Sequence, residues 1–177
     1  MPELITGPGI TEFFRHGFEH TAWRLESRRA YGVASETEAL QAFMRGEDVS
    51  DPGRPWLGMV REQVKQGKRI ERVRVVDEPP TDYQRFLLAD VEDSIAAGED
   101  IRFLWRSDAE TAGLPSRDFW VFDSRLLGRF HFDGDRSLGM ELFDGESAVL
   151  AACQIRDAAW HFAAPYTLFQ SQVASRM

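Results

Sequence analysis

Hydrophobic and polar residues alternate in the first clear strand of the chain. Residues 22–27 are Ala-Trp-Arg-Leu-Glu-Ser, and this period of two predicts a β-strand that directs Trp23 and Leu25 toward a core. Apolar residues at helical spacing lie on both sides of this strand. Two glycines and two prolines in residues 1–10 predict a loose arm. The pattern therefore predicts a mostly helical segment over residues 1–67.

A different pattern begins at residue 68. Residues 70–76 alternate β-branched residues with arginines, which predicts a second strand. A long apolar stripe in residues 83–95 then predicts a helix that Gly98 ends. Residues 101–105 predict a third strand. A strand, a helix and a strand joined by short loops form a βαβ unit, so these two strands are expected to run parallel with a right-handed crossover.

Two apolar strands joined by a tight turn follow. Residues 118–132 are DFWVFDSRLLGRFHF, in which an Asp-Ser-Arg turn separates the strands of a β-hairpin. Residues 137–143 predict a further antiparallel strand, and the apolar positions in residues 149–162 predict a C-terminal helix. The fold class is therefore α+β, with a mixed sheet that contains one βαβ unit and a β-hairpin, and with helices packed on it.

This pattern predicts a single domain over residues 1–177. Its parts are a mostly helical N-terminal subdomain and a core made of the βαβ unit, the hairpin and the C-terminal helix, over residues 1–67 and 68–165.

Composition narrows the possible classes of protein. The chain has 177 residues, 43% of them hydrophobic and 28% charged, which is enough to form a large core. A net charge of -8 argues against direct binding of nucleic acid or of an anionic membrane. The single cysteine, Cys153, excludes an internal disulfide. The sequence shows neither a basic leader nor a membrane-length apolar run, so we expect a cytoplasmic protein.

The sequence contains no catalytic motif that stands on its own. His16 and His20 have the i, i+4 spacing of two metal ligands, but the sequence offers no nearby third ligand of clear type. No Gly-x-Ser-x-Gly sequence occurs, and the glycines of residues 7–9 lack the preceding strand and the Lys-Ser/Thr of a phosphate loop. We therefore expect no metal and no cofactor, and the sequence favours a protein that is not an enzyme.

Two groups of charged residues stand out against this background. Residues 54–74 carry seven lysines and arginines against two acids. Such side chains either bind an anion or an acidic partner segment, or, more commonly, cover apolar surface and pair with acids elsewhere. The end of the first strand carries Arg24, Glu26, Arg28, Arg29 and Tyr31. An Arg–Glu pair there serves either structure or ligand orientation. The sequence leaves both questions open.

Several short segments form a pattern that a known family shares. They are Trp23-Arg-Leu-Glu26, the helix end Phe43 to Gly46-Glu47, Arg72-Val-Arg-Val-Val76 before a Pro and Tyr83, Ala97-Gly-Glu-Asp-Ile101, and Leu114-Pro115 before Asp118-Phe-Trp120. Over residues 14–166 the chain resembles an uncharacterised actinobacterial family, a domain of unknown function often encoded beside helix-turn-helix regulators. The resemblance implies a regulatory setting, with such a regulator or another protein as the partner.

A second, partial resemblance concerns residues 70–163. Their order of strand, long helix, strand, loop, apolar strand ending in Asp, tight turn and apolar strand is similar to one half of a phospholipase D-like domain. That superfamily carries His-x-Lys-x-x-x-x-Asp at such a hairpin. Asp123 matches the final Asp, but Ser116 and Asp118 occupy the His and Lys positions. A serine and a carboxylate supply neither the nucleophile nor the cation that the reaction needs, so the resemblance implies an inactive copy.

These observations lead to one functional hypothesis. We expect a non-enzymatic, cytoplasmic regulatory module that binds a protein partner or a small ligand, with an inactive phospholipase D-like sensor as a specific form of it. The expected ligand site is a cleft at the strand ends. Its candidate residues are Arg106, Asp118, Trp120, Asp123 and Glu26.

Two alternatives remain open from the sequence. The first is an enzyme of unrecognised type that uses the carboxylates Asp118, Asp123 and Glu26, or His131, for acid–base chemistry. A carboxylate with a strongly raised pKa in a pocket would favour this alternative. The second is a toxin- or antitoxin-like partner protein that acts through the basic residues 54–74.

Overall fold

The computed structural model describes residues 3–32 and 34–176. Within these ranges the chain forms seven helices and seven strands. The helices are α1 (Gly7–His16), α2 (Ala34–Met44), α3 (Pro55–Lys65), α4 (Asp82–Ala97), α5 (Arg106–Thr111), α6 (Glu146–Phe162) and α7 (Tyr166–Arg176). The strands are β1 (Thr21–Glu26), β2 (Arg69–Val76), β3 (Asp100–Trp105), β4 (Phe119–Phe122), β5 (Leu126–Asp133), β6 (Arg136–Phe143) and β7 (Ala164–Pro165).

All seven strands belong to one mixed sheet in the order β6-β5-β4-β1-β2-β3-β7. The strands β1, β2 and β3 are parallel, and α4 connects β2 to β3, which forms the βαβ unit that the sequence predicted. The strands β4, β5 and β6 are antiparallel to their neighbours, and β4 and β5 form the predicted hairpin. The α+β fold class with a mixed sheet is therefore confirmed. The centre of the sheet is β1, which comes from the segment predicted to be mostly helical.

Helices cover both faces of this sheet. On one face, α5 and α6 pack over a cluster that includes Trp23 and Leu25 of β1, both of which are buried as the alternation predicted. On the other face, α1 and α3 pack over a second cluster that includes Phe14, Trp120 and Phe122. Neighbouring residues of a strand point to opposite faces. Because neither face is open to solvent, the polar residues of β1 are also enclosed by protein.

Segments at both ends of the described chain pack onto the core. The loose arm predicted for residues 1–10 instead contains the start of α1, and the backbone of Ile5 pairs with that of Met140 on β6. Near the C-terminus, α7 places Phe169 against Phe103 on β3, with no exposure of Phe169 to solvent. Both terminal segments therefore extend the core. In the part of the chain that the structure describes, no helix has the length and apolarity needed to cross a bilayer.

Candidate functional site

Four charged side chains project from adjacent central strands onto one face of the sheet. Arg24 and Glu26 are two residues apart on β1, and their partners in the parallel register of β2 are Arg72 and Arg74. Residues two apart on a strand share a face, so this register brings three guanidinium groups and one carboxylate together. The cluster lies on the side covered by α3 and α4, because Arg72 contacts Trp56 of α3 on that side.

The carboxylate of Glu26 is the centre of this cluster. Its Oε1 accepts from Arg72 Nη1 at 2.6 Å and lies 3.2 Å from Arg24 Nη1, and its Oε2 accepts from Arg74 Nε at 2.7 Å. Glu26 is only 6% exposed. Burial by itself would raise its pKa, but the charges of Arg74, Arg24 and Arg72 outweigh burial and hold the pKa of Glu26 far below its ordinary value. Glu26 is therefore a carboxylate at neutral pH.

Two further buried carboxylates complete the ion pairs. Arg24 Nη2 lies 3.3 Å from Asp118 Oδ2, and Arg72 Nη2 lies 2.9 Å from Glu99 Oε1. Each of these arginines therefore bridges Glu26 and a second acid. Charged groups that are buried in proteins are normally paired in this way, because an isolated buried charge is very costly.

The carboxylate of Asp118 also holds the loop that follows β1. Its Oδ1 accepts from the backbone N–H groups of Ser27 at 2.9 Å and Arg28 at 3.3 Å. Its Oδ2 accepts a short hydrogen bond from the Tyr31 hydroxyl. Burial, together with the charges of Glu26 and Asp118, raises the pKa of Tyr31 well above its ordinary value, although the charge of Arg24 opposes this rise. Tyr31 is thus a neutral hydrogen-bond donor at the edge of the cluster.

Aromatic rings fix the guanidinium groups from the sides. The guanidinium group of Arg72 contacts two tryptophan rings, 5.1 Å from the centroid of Trp56 and 5.3 Å from that of Trp120. Arg24 lies 4.7 Å from the ring centroid of Phe130. Guanidinium groups stack well on aromatic faces, so these contacts limit the orientations that the two arginines can adopt.

A pocket of about 110 Å³ opens beside the cluster, with room for several water molecules. The sheet forms its floor, and residues of α2, of α4 and of the loop after β1 form its other walls. The residues that line it are Arg24, Glu26, Tyr31, Glu36, Arg72, Arg74, Tyr83 and Leu87. We call this cavity the guanidinium pocket. A smaller cavity of about 10 Å³ adjoins it and shares Glu26, Tyr31, Arg74 and Leu87 as lining residues.

Helix α2 contributes Glu36 to the lining of the guanidinium pocket. The hydroxyl of Tyr83 on α4 donates to Glu36 Oε2 on α2 at 2.6 Å. Burial and the carboxylate of Glu36 raise the pKa of Tyr83, so this hydroxyl keeps its proton across the physiological range. A ring contact between Phe43 and Phe86, with centroids 6.0 Å apart, also joins the two helices.

Two guanidinium N–H groups of the pocket residues are buried without a hydrogen-bond partner among the described residues. They are Arg24 Nε and Arg74 Nη1. Buried polar atoms in folded proteins almost always have a partner, and an unpaired one costs about 1–3 kcal/mol. Both atoms belong to residues that line the guanidinium pocket, so the charge cluster beside the pocket is not fully paired.

The structure brings together three of the five predicted site residues. Glu26 and Asp118 share Arg24, and Trp120 packs against the guanidinium groups of Arg24 and Arg72.

Arg106 borders this group. Its Nη2 donates to the carbonyl oxygen of Ser27 at 2.8 Å, and its Nε donates to Asp77 Oδ1 at 2.7 Å. It does not line the guanidinium pocket. Because Ser27 also binds Asp118 through its N–H group, Arg106 supports the loop that frames the site.

Asp123 lies apart from the other predicted site residues, at the opposite end of β4 from Asp118. Its carboxylate accepts from the backbone N–H groups of Glu19 at 2.7 Å and of His20 and Thr21 at 2.8 Å each. Burial opposes ionisation, but these three bonds lower the pKa of Asp123 overall. Its φ of 52° is left-handed, as in a tight hairpin turn. Asp123 thus joins the hairpin turn to the start of β1.

Sequence reasoning missed several residues of the pocket. Arg72 and Arg74 were noticed only as members of the basic stretch 54–74, and Glu36 and Tyr83 were not considered as site residues. The alternating arginines on β2 were the available signal, since residues two apart on a strand share one face of the sheet. Glu36 and Tyr83 belong to helices whose packing on the sheet the sequence does not specify.

The basic stretch itself is largely paired with acids and carbonyls. Arg54 binds Asp90 with N and O 2.5 Å apart, and Lys68 donates to the carbonyl oxygen of Arg15 at 3.0 Å. These contacts support the interpretation that the basic side chains serve structure. His16 and His20 lie near different carboxylates, Glu12 and Glu19. Among the described residues, no group of three or more His, Cys, Asp or Glu is arranged to hold a metal ion.

The chemistry of the guanidinium pocket suits binding. It presents guanidinium and phenol donors on several walls and a carboxylate acceptor on α2. Its central carboxylate has a lowered pKa, and an acid–base catalyst at neutral pH needs a pKa near 7. Its arginines lie on strands of the sheet, and Arg24 and Arg72 contact aromatic rings, which gives the binding groups a fixed geometry.

Comparison with known proteins gives one family. A family model described as a domain of unknown function (DUF6879) matches residues 8–171, which is most of the chain. No curated protein matches the sequence.

Proposed function

This chain belongs to the DUF6879 family of domains of unknown function, so we propose its function from the chemistry of the guanidinium pocket. The protein is a regulatory module that binds a small ligand in this pocket without converting it. The observation that carries the proposal is a pocket of about 110 Å³ on whose walls three arginines, two carboxylates and two tyrosines converge. A pocket with a few convergent polar groups is the usual form of a small-molecule site.

The electrostatics of the pocket support binding over catalysis. Glu26 is tied to three arginines and has a lowered pKa, so it holds no proton to donate near neutral pH. The enzyme alternative relied on a pocket carboxylate with a raised pKa, and Glu26 shifts in the opposite direction.

A more specific form of the proposal is an inactive phospholipase D-like sensor. The order β2, α4, β3, β4, hairpin turn and β5 supports it, as does Asp123 at the turn. Asp118, at the position of the catalytic lysine in that superfamily, binds the pocket residues Arg24 and Tyr31. In this proposal the pocket keeps the location of an ancestral active site, with a carboxylate in place of the cation.

The proposed setting is the cytoplasm of an actinobacterium, with a helix-turn-helix regulator as the protein partner. The resemblance to a family encoded beside such regulators supports this setting. The acidic net charge of -8 supports contact with the regulator protein over direct contact with DNA. In this proposal ligand binding in the guanidinium pocket changes how the module contacts its partner.

Affinity capture from a native extract tests the proposal. The full chain is incubated with extract, washed, and analysed by mass spectrometry both for small molecules and for proteins. We compare wild type with Leu87→Phe, which fills the pocket without removing a charge, and with Leu168→Phe, a control on the exposed side of α7. We expect one small molecule that wild type and the control retain and that Leu87→Phe loses. Equal retention by all three proteins, or none by any, refutes the proposal.

A further inference from the structure

The charges around the guanidinium pocket nearly cancel. The three guanidinium groups of Arg24, Arg72 and Arg74 face four carboxylates, two that line the pocket and two bound directly behind it. These carboxylates are Glu26, Glu36, Glu99 and Asp118. The raised pKa values of Tyr31 and Tyr83 keep both phenols neutral. The group as a whole therefore carries one net negative charge.

This balance disfavours a simple anion as the ligand. A phosphate or a lone carboxylate would add negative charge to a poorly solvated group that is already negative, and charges interact strongly where water is scarce. A simple cation is equally unsuited, because it would lie against the guanidinium groups of three arginines that line the pocket.

The pocket offers complementary chemistry on two sides. On the sheet side, guanidinium donors suit a carboxylate group, which arginine binds with two parallel hydrogen bonds. On the helix side lies Glu36, whose Oε2 accepts from Tyr83. An ionised carboxylate accepts up to about four hydrogen bonds, so Glu36 has capacity left for a donor on a ligand.

We propose that the guanidinium pocket binds a small zwitterion of the amino-acid type, with its carboxylate toward the arginines of the sheet and its ammonium group toward Glu36. Such a ligand has no net charge and supplies both the acceptor and the donor. This inference rests on the proposed function and specifies the chemistry of its ligand.

Arginine side-chain signals of the full chain provide the test. The protein is labelled with ¹⁵N-arginine, and the Nε–H resonances of Arg24 and Arg74 are followed during titration with glycine, β-alanine and γ-aminobutyrate, which differ in the separation of their charged ends. Acetate, inorganic phosphate and methylammonium are titrated at equal ionic strength. We expect at least one zwitterion to shift both resonances saturably, with an affinity at least tenfold above that of each simple ion.

A matched pair of variants on α2 tests the ammonium contact. Glu36→Gln should weaken the best zwitterion at least tenfold, whereas Glu38→Gln, an exposed glutamate of the same helix, should leave its affinity unchanged. If acetate or phosphate bound more tightly than every zwitterion, the ligand would not be a zwitterion, although the pocket would still be a binding site. If no probe shifts either resonance, the zwitterion proposal fails, and the extract experiment alone decides the proposed function. Equal effects of the two variants would overturn the role of Glu36.

Discussion

Replacing Glu26 by glutamine tests whether one buried carboxylate holds the centre of this protein together. Glu26 contacts three guanidinium groups at 2.6, 2.7 and 3.2 Å, and all three remain buried in the variant. Glutamine keeps the size of the side chain and one acceptor oxygen, but it removes the negative charge that Arg24, Arg72 and Arg74 share. The variant therefore isolates the electrostatic role of Glu26.

The expected loss of stability is large. Removing one partner of a buried ion pair typically costs about 3–5 kcal/mol, because it leaves an uncompensated charge. For a domain of this size each kcal/mol lowers Tm by about 2–4 °C, so the expected decrease is about 6–20 °C. A surface substitution away from such groups would change stability by only about 0.5 kcal/mol.

The same variant should alter the pH dependence of stability. The pKa of Glu26 is lowered on folding from an ordinary value of 4.5. A carboxylate with a lowered pKa stabilises the fold above its unfolded pKa and loses that contribution as pH falls toward the folded pKa. Acidification below pH 4.5 should therefore reduce Tm less in Glu26→Gln than in wild type.

Glu71→Gln is the matched control for this experiment. Glu71 lies on the adjacent strand β2, and burial raises its pKa, although Arg69 opposes that rise. Its charge therefore destabilises the fold at neutral pH, and the control should keep or increase Tm. Scanning calorimetry at pH 7 measures all three proteins. A Tm of Glu26→Gln within 2 °C of wild type, or equal losses in both variants, would refute the reasoning.

Three further predictions concern other parts of the fold. In Asp123→Asn, asparagine can adopt the left-handed backbone but lacks the charge that binds three backbone N–H groups. The midpoint of urea unfolding should therefore fall by an amount equivalent to about 1.5–3 kcal/mol. An unchanged midpoint would contradict the anchoring role of Asp123. Tyr83→Phe removes the hydrogen bond to Glu36, so the backbone amides of α2 should exchange hydrogen at least several-fold faster, while the exchange rates of β1 stay constant. An equal change in the exchange rates of both elements would contradict the view that this bond holds α2 in place. Gly128→Ala should cost about 1–3 kcal/mol by chemical denaturation, because a Cβ there would lie 2.6 Å from Met140 Sδ; an unchanged denaturation midpoint would contradict this close packing.

Local patterns predicted the parts of the fold that depend on neighbouring residues. The alternation at residues 22–27 predicted β1 and the burial of Trp23 and Leu25, because a period of two is typical of a strand with one face toward the core. The βαβ unit followed from short joins between a strand, a helix and a strand. The hairpin at residues 118–132 followed from two apolar strands around a turn. Each of these predictions needed only residues close together in the chain.

The candidate site depended on contacts between residues far apart in the chain. The sequence indicated that Arg24 and Glu26 share one side of a strand, and that Arg72 and Arg74 share one side of another. Only the parallel register of β1 with β2 places the two pairs against each other. Asp118 and Asp123 were both predicted to border one cleft at the strand ends, but β4 lies between them and carries them to opposite ends.

The sequence by itself therefore determined the α+β class, the principal strands and helices, and which residues of each strand share a face. Those properties follow from periodicity and turn chemistry, which act over a few residues. The tertiary structure decided that helices cover both faces of the sheet, which turned an ordinary polar side of β1 into a buried charge cluster. It also decided that α2 and α4 enclose a pocket over that cluster, because packing between distant elements depends on the shape of the whole core.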